Sequence, residues 1–202
     1  MRSTVLSLLT VLLVPAALPV SAQVFEVGFH GGVSRLSSRN IGSVQSAAAG
    51  DPRQDAELKD GWRFGVRATL KSGRFTGYEF GYAYNRTKLT LGGKDAGGMA
   101  IHQGLFNYLL YATPEGKRIR PFVTGGGNFS NFIPPGASVT SGGGDNKFGV
   151  NYGGGIKVIA TDKLLFRVDV RQYVTGKPFD LVGASGALKQ LEISAGVSFY
   201  MN

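Results

Sequence analysis

The chain contains no cysteine. Disulfides, thiolate metal sites and lipid attachment through a cysteine behind an export signal are thereby excluded. Histidine is nearly as scarce: His30 and His102 are the two copies, and neither belongs to a ligand cluster with metal-site spacing. After residue 22 no apolar run approaches the ~20 residues that a membrane-spanning helix needs. A convincing amphipathic helix is missing as well. Acidic residues are few, 13 against 22 basic ones, for a net charge of +9. Such a balance often marks a nucleic-acid binder. Here the bases are dispersed, and many fall at alternate strand positions or in turns, so no nucleic-acid partner is expected.

What the chain does have is glycine and aromatic rings: 31 Gly, 13 Phe, 8 Tyr and 1 Trp. Mean hydropathy is +0.01. Residues 1–22 read as a secretory signal peptide: Arg2 gives the positive start, Val5 to Val14 the apolar segment, and Val20-Ser21-Ala22 the small residues for cleavage. The apolar run is too short for an anchor, and Pro15 interrupts it. Residues 23–202 then form one domain, and losing Arg2 takes the charge from +9 to +8.

Residues 189–201 set the pattern for the rest. Leu191, Ile193, Ala195, Val197, Phe199 and Met201 are apolar, and Glu192, Ser194, Gly196, Ser198 and Tyr200 alternate with them. Period 2 means a β-strand with one oily face and one polar face. Seven more segments repeat it, over about 23–35, 62–71, 78–85, 99–113, 120–132, 147–160 and 164–174. In the fourth strand, Phe106, Tyr108 and Leu110 point outward with Gln103 and Asn107 inward, which also sends Leu105 and Leu109 inward. The connections alternate long and short. Residues 36–61 have no periodicity and read as an exposed, mobile loop whose deletion should leave the rest intact. Further long loops are expected around 92–98, 133–146 and 175–187, with short turns at 72–74, 114–117 and 161–163.

The predicted fold class is therefore all-β: an eight-stranded antiparallel up-and-down transmembrane β-barrel behind a cleaved signal peptide. An even strand number closes the sheet and removes its edges, as lipid requires. Oily faces point to lipid and polar faces inward. A soluble exported barrel of lipocalin type is the alternative, but it would have to surround a cavity with Tyr78, Phe80, Tyr82 and Tyr84 from one strand alone. Trp62, Tyr84, Tyr111, Tyr173 and Phe199 lie near strand ends, where interfacial aromatic girdles belong.

Three stretches resemble the eight-stranded outer-membrane barrels of the OmpA-like transmembrane family: Arg120-Pro121-Phe122-Val123-Thr124-Gly125-Gly126-Gly127, Phe166-Arg167-Val168-Asp169-Val170-Arg171, and the terminus. There Ser194, Gly196, Phe199 and Met201 look like the β-signal read by the barrel assembly machinery, without the usual terminal aromatic and with Asn202 added. The resemblance implies a bacterial outer-membrane location, periplasmic termini and contact with outer-membrane lipids. The peptidoglycan-binding domain of longer members is not expected.

The polar faces carry the candidate site: Glu26, Arg63, Arg67, Glu79, Lys157, Arg167, Asp169, Arg171 and Glu192. Inside a narrow barrel these must pair, with Glu192 reaching Glu26 and the bases of the seventh strand. They form either a static filling or a gate over a narrow pore. Lys71, Arg74, Lys117, Arg118, Arg120 and Lys163 gather at the short turns, either as anchors for anionic headgroups or as ordinary soluble turn residues. Lipid A deacylases share the architecture but hold a His, a Ser and an acid together; the His-x-Ser spacing is missing here, so no enzyme activity, cofactor or metal is expected. Gly176-Lys177-Pro178 lacks the context of a phosphate loop. The lead reading is a structural or adhesin-like surface protein whose loops meet an unnamed external partner; the alternative is a narrow gated pore.

Overall fold

The computed structural model describes residues 25–46, 50–138 and 143–201. The expected signal peptide, the first two residues of the expected barrel domain and Asn202 lie outside them.

Eight long strands close into a barrel: β1 (Phe25–Leu36), β4 (Gly61–Lys71), β5 (Thr76–Leu91), β6 (Lys94–Tyr111), β7 (Ile119–Ile133), β8 (Asp145–Ile159), β9 (Leu164–Gly176) and β10 (Ala187–Met201). Two short strands, β2 (Asn40–Val44) and β3 (Gln54–Leu58), are added outside the ring, β3 against β5. Every neighbouring pair in the ring is antiparallel, and β1 pairs with β10 from Phe25↔Met201 to Leu36↔Gln190 without a break. Among the described residues each of the eight strands is thus paired on both sides within the ring, which is the condition for standing in hydrocarbon.

The period-2 pattern orients the side chains. On β4, Trp62, Phe64 and Val66 are exposed while Arg63 and Arg67 are buried. On β9, Phe166, Val168 and Val170 are exposed while Arg167, Asp169 and Arg171 are buried. The expected phase of the fourth strand holds on β6: Phe106, Tyr108 and Leu110 face out, and Gln103, Leu105, Asn107 and Leu109 face in. The outer rings pack on one another, Tyr78 against Phe106 and Tyr108 across strands, and Trp62 against Phe64 on its own strand and Tyr84 on the next. An outer surface this apolar has lipid as its natural solvent. Two expected girdle residues are corrected: Tyr111 and Tyr173 are 2% and 0% exposed and lie inside. Their place in the alternation, in phase with Leu109 and Arg171, outweighs their nearness to a strand end.

One end of the barrel holds the short turns 72–75, 112–118 and 160–163, together with Phe25 and Met201. The other end is built up. β6 has 18 residues, about 60 Å at ~3.3 Å per residue, well beyond the 9–11 residues of a tilted crossing. The loop expected around 92–98 is a correction: β5 and β6 run on as a paired ribbon and turn at Gly92-Gly93 alone, both at positive φ (55° and 81°). Two consecutive positive φ values suit a tight hairpin, and glycine takes them freely.

The reading of residues 36–61 as a loop without structure is also overturned. Within the segment β2 and β3 form a hairpin, and β3 adds to the outer part of β5 through Ala56↔Leu91 and Leu58↔Leu89. Asp60 accepts from the Leu36 amide at 2.9 Å and pairs with Arg39 at 3.1 Å. Leu36, Ile41, Ala56, Leu58, Met99, Ile101, Phe132 and Leu188 make one buried apolar cluster, with Leu89, Leu91, Phe179 and Leu181 packed against it. This oily cap sits across the long-loop end. A short 3-10 turn, Pro178–Asp180, flanks it, and the Ser43 amide bonds the Val182 carbonyl at 2.8 Å, tying two loops together.

Because the cap is packed, deletion of residues 36–61 is expected to lower the midpoint of urea unfolding. Leu58→Ala alone should cost about 2–5 kcal/mol, as for other buried leucines. A midpoint unmoved by either change would return the segment to the status of a free loop.

Candidate functional site

Side chains at i, i+2 and i+4 share a strand face, so β4 delivers Arg63, Arg67 and Lys71 to the lumen, and β9 delivers Arg167, Asp169, Arg171 and Tyr173. All nine residues expected in the interior charge group are there: Glu26, Arg63, Arg67, Glu79, Lys157, Arg167, Asp169, Arg171 and Glu192 are each 4% exposed or less.

Seven of them form a connected middle layer. Asp169 is shared by Arg67 (2.9 Å), Arg167 (2.7 Å) and Arg171 (3.0 Å). Glu79 takes Arg167 at 2.5 Å and Arg171 at 2.7 Å. Glu192 takes Arg67 at 2.7 Å and Arg63 at 3.1 Å, and accepts from the Tyr173 hydroxyl at 2.7 Å and the Ser194 hydroxyl at 2.6 Å. Lys157 and Glu26 pair separately at 2.6 Å. The partner expected for Glu192 is thus corrected. It pairs with Arg63 and Arg67 of β4, and among the described residues with neither Glu26 nor the β9 bases Arg167 and Arg171. Arg67 reaches Asp169 on β9 past the two intervening strands β1 and β10, that is, across the lumen. An arginine is long enough to bridge a barrel that has room for little else.

Glycines make that space. Gly153 and Gly155 on β8 stand beside Arg171 and Asp169 on β9. A methyl group on Gly153 would meet the Arg171 Cα at 2.7 Å, and one on Gly155 would meet the Phe122 ring at 2.8 Å. The void beside His30, lined by Gly28, Phe29, His30, Arg67, Arg167, Gly196 and Ser198, holds about 10 Å³, room for about one water.

Above the charges, toward the oily cap, lies an amide layer that the sequence reading missed. Gln103 donates to Ser130 and Gln190 (3.0 Å each), and Gln190 donates to Ser34 at 2.7 Å and Asn85 at 3.1 Å. Their signal was the same inward phase that marked the charges. Below the charges lies a second omission. Lys71 and Arg120, expected among the turn bases, are 8% and 1% exposed and lie inside, while Arg74, Lys117, Arg118 and Lys163 are exposed at the short turns. Lys71 bonds Glu115 at 2.5 Å. Arg120 stacks its guanidinium carbon 3.9 Å from the centre of the Tyr111 ring.

The histidines do not meet a serine. His30 faces inward with Nε2 3.8 Å from Glu192 and no hydrogen bond at either nitrogen. The Ser194 hydroxyl is turned to Glu192. His102 lies on the outer face, its Nδ1 bonded to the Tyr82 hydroxyl at 2.5 Å. Among the described residues no group of three or more His, Asp and Glu is arranged to hold a metal. Of the proposed assembly residues, Phe199 and Met201 project outward and Ser194 inward, with Gly196 opposite His30.

Comparison with known proteins gives the same architecture. The family model described as outer membrane protein beta-barrel domain matches residues 6–200. Neisserial surface protein A is similar in structure with a TM-score of 0.58 at 14% identity, covering 88% of this chain and 97% of that one. The outer membrane protein OprG of Pseudomonas aeruginosa gives 0.57 at 13%, covering 89% and 97%. A major outer membrane protein of Thermus thermophilus gives 0.50 at 13%, covering 89% and 100%. No curated protein matches the sequence. The chain belongs to the outer membrane protein beta-barrel domain family.

Asp169→Asn should lower stability by about 3–5 kcal/mol, because it strips the shared carboxylate from three buried guanidiniums. Lys88→Ala, which removes an exposed pair with Asp95 at 3.3 Å, should change it by less than about 1 kcal/mol. Urea unfolding of the two variants in detergent micelles compares them. Equal, small effects would mean that the interior network adds little to the folded state.

Proposed function

We propose that this outer-membrane barrel is a structural and surface-interaction protein: a closed body carrying a folded external platform, neither a pore nor an enzyme. The observation that carries the reading is the double closure of the lumen, by the ion-pair layer around Asp169 and by the oily cap around Leu58 and Ile101. A conduit would need both to open. The investment in structure lies at the long-loop end instead, where the β5–β6 ribbon, the β2–β3 hairpin and the 3-10 turn form one packed unit. A rigid platform loses less entropy on binding than a free loop does, which favours recognition there. In this reading the long-loop end faces outside, the short turns and both termini face the periplasm, the outer belt contacts outer-membrane lipids, and Ser194, Gly196, Phe199 and Met201 present the assembly signal to the barrel assembly machinery. The Ser194 hydroxyl is turned to Glu192 and His102 is bonded to Tyr82, so among the described residues neither histidine is placed as a base for a serine.

The shared carboxylates favour a second reading. Arg67, Arg167 and Arg171 already divide Asp169 and Glu79 among them, so a change of partners needs only small movements, as a gate would.

Two measurements decide. Protein inserted in a planar bilayer should stay silent; discrete openings altered by Arg167→Ala would overturn the closed-barrel reading in favour of the gated pore. Since the chain has no native cysteine, single Lys94→Cys and Lys117→Cys variants report orientation. A membrane-impermeant maleimide on intact cells should label the first and spare the second. The reverse pattern would invert the orientation.

A further inference from the structure

The short-turn end of the lumen is short of negative charge. Among the described residues seven basic side chains are buried, Arg63, Arg67, Lys71, Arg120, Lys157, Arg167 and Arg171, against the four carboxylates Glu26, Glu79, Asp169 and Glu192. Glu115, partly exposed, accounts for Lys71. The upper arginines share three carboxylates, and Glu26 is held by Lys157. Arg120 has no carboxylate at all within ion-pair distance, and its Nε, Nη1 and Nη2 lack any hydrogen-bond partner although the side chain is 1% exposed.

Its surroundings make the deficit sharper. Lys157 lies directly opposite Arg120 on the neighbouring strand, and its Nζ is 5.4 Å from the centre of the same Tyr111 ring. Like charges placed opposite across strands repel. The Tyr111 and Tyr200 hydroxyls are also buried without partners. Tyr200 lies under Lys71, 4.4 Å from its Nζ. The unpartnered groups here are a guanidinium with five N–H donors and two phenols with one O–H each. An arginine cannot shed its proton to escape burial. The face of a ring compensates part of the charge but accepts none of the N–H bonds in the guanidinium plane. What matches the set is an acceptor-only group with negative charge and oxygens spaced for the guanidinium fork.

We propose that Arg120, with Tyr111 and Tyr200, forms an anion site just inside the short-turn mouth, taking an oxyanion of phosphate type, either free in solution or carried on a phospholipid headgroup. The two nearby carboxylates do not compete for Arg120, since Glu26 is neutralised by Lys157 and Glu115 by Lys71. This site is separate from the closed middle layer, and its existence does not depend on whether the barrel conducts.

Calorimetric titration of the purified full chain in non-ionic detergent with inorganic phosphate tests the proposal. One saturable site is expected, at least tenfold weaker in Arg120→Met and weakened in Tyr111→Phe, which keeps the guanidinium should the first variant not fold. No saturable binding in the unmodified protein, or binding unchanged in both variants, would overturn a free-anion site. Lipid discs separate the sources. If phosphatidylglycerol discs raise the urea midpoint over phosphatidylcholine discs in phosphate-free buffer, and Arg120→Met abolishes the rise, the oxyanion is a headgroup. If added phosphate is needed for the rise, it is free. If neither raises the midpoint and calorimetry is also silent, the site does not exist.

Discussion

In hydrocarbon a backbone N–H or C=O finds no water, so every strand must have a neighbour on both sides. The pairing of β1 with β10 meets that condition, and much else follows from it. Closing eight strands leaves a lumen only a side chain or two across. Alternation then sends half of each strand into that lumen, whatever those residues are. A closed barrel of this size is thus compelled to solve a packing problem with the inward half of its sequence.

Here the solution is stratified. An oily layer around Leu58 closes one end, an amide layer around Gln103 and Gln190 lies beneath it, and arginines and carboxylates fill the middle. Each layer suits its neighbour. The amides can donate to and accept from the same surroundings, so they join an apolar layer to a charged one, as Gln190 does between Ser34, Asn85 and Gln103. The large guanidiniums fit because strands beside them present glycine, as Gly153 does beside Arg171. The third stratum is less even. Around Arg120 and Tyr111 the donors outnumber the acceptors, and the compensation that holds the middle together is missing.

The eight strands and their inward and outward phases were legible because lipid imposes a strict period of 2. Even the fourth strand, which turns Leu105 and Leu109 inward, follows the rule. The members of the charge group were legible for the same reason. Their pairing was not. Alternation offers Glu192 only its neighbours in the ring, whereas Arg67 and Arg63 reach it from β4. Cross-lumen reach depends on side-chain length and on strand stagger, neither of which alternation reveals. Tyr111, Tyr173 and Arg120 were misplaced by giving position along the strand more weight than phase. The β2–β3 hairpin was invisible because its two strands have five residues each, and their stability comes from Leu89, Leu91 and Met99 far along the chain.

The seam between β1 and β10 also has a temporal side. Phe25 pairs with Met201, so the first strand acquires its second neighbour only when the last has been made. Until then the sheet carries two open edges and an oily face with nothing to cover it, the conditions under which chains find each other. Joining the ends of so long a chain is also the slowest kind of contact to form. The architecture therefore makes the protein's survival a race between closure and aggregation, and the final strand is the element that ends it.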